Sequence, residues 1–135
     1  MIGIVVVSHG RLAEELVNAA RTIVGEIPAI AAVSIGWSDD VAAARSAIQG
    51  ALAQVGCGEG EALILTDMFG GTPTNVSLPF LSARVEIVTG VNLPMLIKLV
   101  GLREGALVEV ARVVREQGKG AIYVASETLG KGGSA

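Results

Sequence analysis

The chain has 135 residues, 51% hydrophobic and 17% charged, with a net charge of −3 at pH 7; it suits one domain burying roughly two-thirds of its unfolded surface and is too apolar to be disordered. One cysteine, Cys57, excludes an internal disulfide or a Cys-rich zinc site, and an acidic balance with only four aromatic residues offers nucleic acid neither a basic field nor a stacking platform. One histidine, His9, excludes any mechanism that needs two imidazoles within the chain.

The chain opens on Ile2 to Ser8, a β-branched run without alternation, which predicts a strand buried on both faces. After His9-Gly10, apolar residues at Leu12, Leu16, Ala19, Ala20 and Ile23 recur at helical spacing until Gly25 and Pro28. Ala29 to Ile35 is a second apolar strand. Ser38-Asp39-Asp40 supplies caps for a helix with Val41, Ala44, Ile48, Leu52 and Val55 on one face. A glycine-rich loop, Gly56 to Gly60, leads to a third buried strand, Ala62 to Thr66. Asp67 and the turn-rich stretch from Gly70 to Asn75 follow, then a short helix through about Leu81 and a fourth strand, Val85 to Thr89. Asn92 and Pro94 read as the start of a helix carrying Met95, Leu99 and Val100. Another helix is expected over about Glu104 to Gln117, and a last short strand over Ala121 to Ala125.

Strands alternating with helices predict right-handed crossovers and an α/β, doubly wound, mostly parallel sheet with helices on both faces. Residues 1–130 read as a single domain and 131–135 as a flexible tail. The apolar start is too short for a signal peptide core, and no run of 18 apolar residues occurs, so a cytoplasmic location is expected.

In such sheets ligands bind beyond the carboxyl ends of the strands, where the strand order reverses. For the order 2-1-3-4 that point lies between strands one and three. His9 follows strand one and Asp67 follows strand three, so an imidazole and a carboxylate meet in one crevice. A carboxylate bonded to one ring nitrogen fixes the tautomer and leaves the other nitrogen's lone pair free to attack. Gly70-Gly71 lets backbone approach a ligand, and Pro73 suits the first turn of a helix capped by Thr72, whose amides suit a phosphoryl group. Together these features point to phosphoryl transfer through phosphohistidine, with no metal and no cofactor.

Taken singly, each feature has a plainer reading. His9 and Asp67 would serve as turn or cap residues, Gly-Gly-Thr-Pro as a strand–turn–helix connection, and Asp39-Asp40 as a cap or a contact for a basic partner. Cys57 reads as an exposed thiol, and Trp37 as a loop-edge residue or a rim of the crevice. A histidine phosphatase would place Arg before His-Gly and use a second histidine; Ser8 stands there instead. A tetrapyrrole chelatase would want another imidazole. The alternative kept open is a receiver-like switch phosphorylated on Asp67, although Ser8-His9 stands where that chemistry places Mg²⁺-binding acids. No GxxxxGK[ST] exists, and no GxGxxG follows strand one.

Three blocks carry a family resemblance: Val6-Val7-Ser8-His9-Gly10, Leu65 to Asn75 (LTDMFGGTPTN), and Gly90 to Leu96 (GVNLPML). In this order and spacing, over about residues 1 to 125, the chain resembles the IIA component of the mannose (mannose–fructose–sorbose) family of the sugar phosphotransferase system. The resemblance implies a phosphocarrier that accepts a phosphoryl group from the HPr phosphocarrier protein and passes it to a IIB component, serving carbohydrate uptake or its regulation. It marks His9 as the phosphorylated residue, Asp67 as its hydrogen-bonded companion, and Met68, Phe69, Gly70, Gly71, Thr72 and Pro73 as the pocket. It further implies a homodimer in which Ala121 to Ala125 is exchanged as an antiparallel strand. Contact with the membrane would come only indirectly, through a permease complex.

Overall fold

The computed structural model describes residues 1–129; the tail expected at 131–135 lies outside them. Four strands form one all-parallel sheet in the order β2-β1-β3-β4, as expected. They are β1 (Gly3–His9), β2 (Ile30–Ile35), β3 (Ala62–Thr66) and β4 (Val85–Thr89). Around the sheet, among the described residues, lie six α-helices, α1 (Leu12–Val24), α2 (Val41–Gln54), α3 (Thr72–Ser77), α4 (Leu93–Val100), α5 (Leu107–Gly120) and α6 (Ala125–Thr128), and a 3-10 turn, Leu78–Phe80, that continues α3.

The central strands explain the lack of alternation in the sequence. Successive side chains of a strand point to opposite faces, and both faces are covered. Ile4, Val6, Leu63 and Leu65 pack under α1, α4 and α5, with Val17, Leu96, Leu99 and Val114 inside. Val5, Val7 and Ile64 face the other way, against Ile48 and Leu52 of α2 and Val76 of α3. Asp40 caps α2, its Oδ1 accepting from the Ala43 amide, and Asn92 caps α4 in the same way through Met95. Cys57 is half-buried against the α2-side cluster rather than exposed.

Two boundaries differ from expectation. The fifth helix starts at Leu107 and continues past Gln117 through Gly118 and Gly120. Tertiary packing overrides poor helix propensity there: Gly118 lies so close to Met95 that a Cβ would sit 2.5 Å from its sulfur, and its carbonyl accepts from Asn92. The second difference is the closing strand. Ala121 to Ala125 forms no ladder among the described residues, and Ala125 begins α6. Ile, Tyr and Val favour strands, but a strand also needs an edge to pair with, and the described chain brings none to this segment.

Arg103 closes the amino-terminal end of the sheet. It is buried, and its guanidinium donates to the carbonyls of Ile2 (2.8 Å), Ala29 (2.8 Å) and Pro28. Burial pushes its pKa below the usual arginine value, against the opposing field of Glu104.

Candidate functional site

β1 and β3 are neighbours, with Val7 registered opposite Thr66, so both chains leave the sheet at the same end. His9 is the last residue of β1 and Asp67 the first beyond β3. Asp67 Oδ2 accepts from the His9 amide at 2.9 Å and lies 2.7 Å from Nδ1 of the imidazole. The other oxygen, Oδ1, accepts from the Met68 amide at 3.0 Å. An ionised carboxylate only accepts, so this contact assigns the proton of a neutral ring to Nδ1 and leaves the Nε2 lone pair unprotonated. The Asp67 side chain is 10% exposed and that of His9 is 34% exposed, so the carboxylate is withdrawn from water while the ring remains reachable.

Local chemistry fixes each partner. The buried Ser8 hydroxyl accepts from the Ala13 amide at 2.6 Å and donates to the His9 carbonyl at 3.1 Å. It thereby supplies the start of α1 with the cap that Arg11 lacks. Past Asp67 the chain turns sharply at Gly70, whose φ of +87° lies in the region that favours glycine. Gly71 then approaches the ring: a Cβ there would lie 2.8 Å from His9 Cε1 and 3.3 Å from Nε2. Two buried hydroxyls brace the turn from below. Thr74 Oγ1 donates to the Met68 carbonyl and contacts Thr66 Oγ1 at 2.7 Å, which leaves Thr66 as the donor of that pair.

Gly71, not Thr72, is the N-cap of α3. Thr72 is its first residue, and Pro73 follows within the first turn, where a missing amide proton goes unnoticed. The expected pocket residues do not all converge. Gly71 approaches the imidazole and packs beside Met68, whereas Pro73 is buried within the first turn of α3 and Phe69 lines a separate groove beside β4. Trp37 is at the rim, its ring centroid 6.1 Å from that of His9. The Thr66–Thr74 brace and Ser8 were not singled out from sequence, since a buried hydroxyl leaves no periodic signal. Among the described residues no cluster of three or more His, Cys, Asp or Glu side chains is placed to hold a metal ion, and no helix is long and apolar enough to cross a membrane.

The sequence and the fold resemble those of known proteins. Residues 3–114 match the family model described as PTS system fructose IIA component. The chain is 31% identical over 134 residues to the PTS system fructose-specific EIIA component of Bacillus subtilis (strain 168), covering 97% of this chain and 91% of that one. It is 32% identical over 110 residues to the mannose-specific EIIAB component of Escherichia coli (strain K12), covering 76% of this chain but only 32% of that longer protein. Among solved structures, the mannose/sorbose specific IIA subunit from Enterococcus faecalis superposes with a TM-score of 0.83 at 29% identity, covering 91% of this chain and 93% of that chain. Component EIIA from Streptococcus agalactiae superposes with a TM-score of 0.82 at 25% identity, covering 94% and 99%. With the fold, the strand order and these matches in agreement, the chain belongs to the mannose-type IIA family of the sugar phosphotransferase system.

Proposed function

We propose that the chain is a phosphocarrier: His9 accepts a phosphoryl group from phosphorylated HPr and passes it to a IIB component, in carbohydrate uptake or its regulation. The observation that carries this reading is the 2.7 Å contact between His9 Nδ1 and Asp67, which leaves Nε2 as the nucleophile. In the transfer, the Nε2 lone pair attacks phosphorus in line while the donor's N–P bond breaks, and the donor nitrogen keeps that electron pair. The ring gains positive charge as the new bond forms, and Asp67 stabilises it through the retained Nδ1 proton. The turn at Gly70, Gly71 and Thr72 would face the phosphoryl oxygens. Because α3 has only six residues, this contact would come from local amides and the exposed Thr72 hydroxyl rather than from a long helix dipole.

Residues 1–130 would act as one such domain in the cytoplasm, and the membrane would be reached only through a permease complex. A homodimer accounts for two surfaces at once. β4 is an edge strand flanked by a groove of about 480 Å³ lined by Phe69, Leu78, Leu81, Val88 and Val108. Ile122, Tyr123 and Val124 are 76%, 70% and 58% exposed. A partner's Ile122 to Val124 laid antiparallel along β4 would cover both surfaces.

The test is incubation with phosphoenolpyruvate, enzyme I and HPr, comparing the native chain with His9→Ala. Acid-labile phosphate on the native chain alone is the expected result, and equal labelling of both would sink the assignment. Alkali-labile phosphate on Asp67 would favour the receiver-like switch. Against that switch stand the three hydrogen bonds already accepted by the Asp67 carboxylate.

A further inference from the structure

Trp37 is 93% exposed, more than any other large hydrophobic residue among those described, yet its ring stands 6.1 Å from the His9 imidazole at an interplanar angle of 36°. The fold holds it there. Ile35 is registered opposite His9, and its carbonyl accepts from the Gly10 amide at 2.9 Å. The turn that follows is closed twice: the Asp39 amide donates to the Gly36 carbonyl, and Asp39 Oδ2 accepts from the Gly36 amide at 2.8 Å. The carboxylates of this loop are thus engaged with backbone amides, Asp39 with Gly36 and Asp40 with Ala43, while the loop presents its indole outward. An indole so exposed contributes little to the core, and folding gives no reason for its place.

Phosphoryl transfer supplies one. Reacting atoms must come within about 3–3.5 Å of each other before the bond forms. A protein that carries its phosphoryl group on a side chain must therefore cover the ground around His9, and Trp37 stands on it. Tryptophan is also the residue type most enriched among those that dominate interface energetics.

We propose that Trp37 is a specificity-determining residue of the transfer, the anchor by which the protein donor registers its phosphoimidazole over His9. The proposal rests on the phosphocarrier reading. Trp37 exchanges no proton and forms no bond in the step: the donor's N–P bond breaks, the Nε2–P bond forms, and Asp67 keeps hold of the Nδ1 proton. Its contribution is to discriminate the protein donor from a small phosphoryl donor that needs no docking.

The test measures transfer to the full chain from phosphorylated HPr and, separately, from phosphoramidate, for the native protein, Trp37→Ala and Trp37→Phe. The quantity read is the ratio of the two efficiencies. Trp37→Ala should lower that ratio about tenfold or more, through a raised KM for phosphorylated HPr rather than a lowered kcat. Trp37→Phe, which keeps an aromatic ring, should recover most of it. An unchanged ratio in Trp37→Ala overturns the proposal, and so does a loss in kcat alone. A native chain that takes phosphate at His9 from neither donor removes the phosphocarrier reading itself, a different failure from an unchanged ratio.

Discussion

Replacing Gly71 by alanine separates the chemistry of the site from the stability of the fold. The added Cβ would lie 2.8 Å from His9 Cε1 and 3.3 Å from Nε2. Carbon atoms in contact prefer about 3.5–4.0 Å, so the ring must retreat by roughly 1 Å. It cannot do so freely, because Nδ1 is held 2.7 Å from Asp67. The backbone, in contrast, accepts alanine: Gly71 has φ −87° and ψ 170°, an extended conformation open to any residue. Alanine also narrows the unfolded ensemble, a gain of about 0.4–1 kcal/mol that roughly offsets the loss, on the order of 1 kcal/mol, of putting alanine at an N-cap. Folding stability should therefore change by less than about 1 kcal/mol. A displacement of about 1 Å in a reacting group costs on the order of 100-fold in rate. Rapid-quench labelling from phosphorylated HPr, read beside urea unfolding curves, measures both quantities on the same preparations. Labelling of Gly71→Ala at the native rate would refute the proposed packing of the ring against this turn. The neighbouring glycine is the contrast: Gly70 has φ +87° with nothing within 4 Å of a Cβ, so Gly70→Ala should cost about 1–2 kcal/mol of stability through backbone strain.

Asp67→Asn keeps the shape of the carboxylate but removes the charge that would stabilise the ring as it gains positive charge, and turns an NH2 toward either the His9 or the Met68 amide; labelling should slow by about 100-fold with the fold intact by circular dichroism, and a native rate would discard the orienting role. Thr74→Val removes the donor to the Met68 carbonyl and the acceptor for Thr66, both in a buried setting; unfolding should show a loss of about 1–3 kcal/mol, with Thr74→Ser restoring most of it. Arg103→Leu strips three backbone carbonyls of their donor far from His9, and should cost about 3 kcal/mol in denaturant titration while the labelled fraction of folded protein stays native. Light scattering at micromolar concentration should give twice the chain mass, and Ile122→Asp, which places a charge in the exchanged segment, should shift it toward the monomer; a native monomer removes the exchanged strand.

The way each of these side chains reaches its place explains which parts of the molecule could be read in advance. The four parallel strands were legible because a strand covered on both faces must be apolar throughout, as Val5, Val6 and Val7 are, and such runs have definite ends. His9 and Asp67 were legible for the same reason. Each marks the point where an apolar run stops, and the order 2-1-3-4 makes those two ends adjacent. Crossover connections make the strands parallel but do not by themselves select that order, which the assembled sheet shows. Trp37 is the opposite case. Being exposed, it belongs to no period, and its nearness to His9 follows from a pairing, Ile35 with His9, that only the assembled sheet creates.

The Ala121 to Ala125 segment shows the same dependence from the other side. Its Ile-Tyr-Val core has strand propensity, but propensity describes one side of a pairing, and within the described chain the other side is missing. Helix α5 overran its expected end at Gln117 because Gly118 is held by Met95 and Asn92, contacts with a helix more than twenty residues earlier in the chain. Local pattern therefore located His9 and Asp67, each at the end of a strand. What surrounds them is set by non-local packing: Gly71 against the ring, Thr74 beneath the turn and Trp37 at the rim.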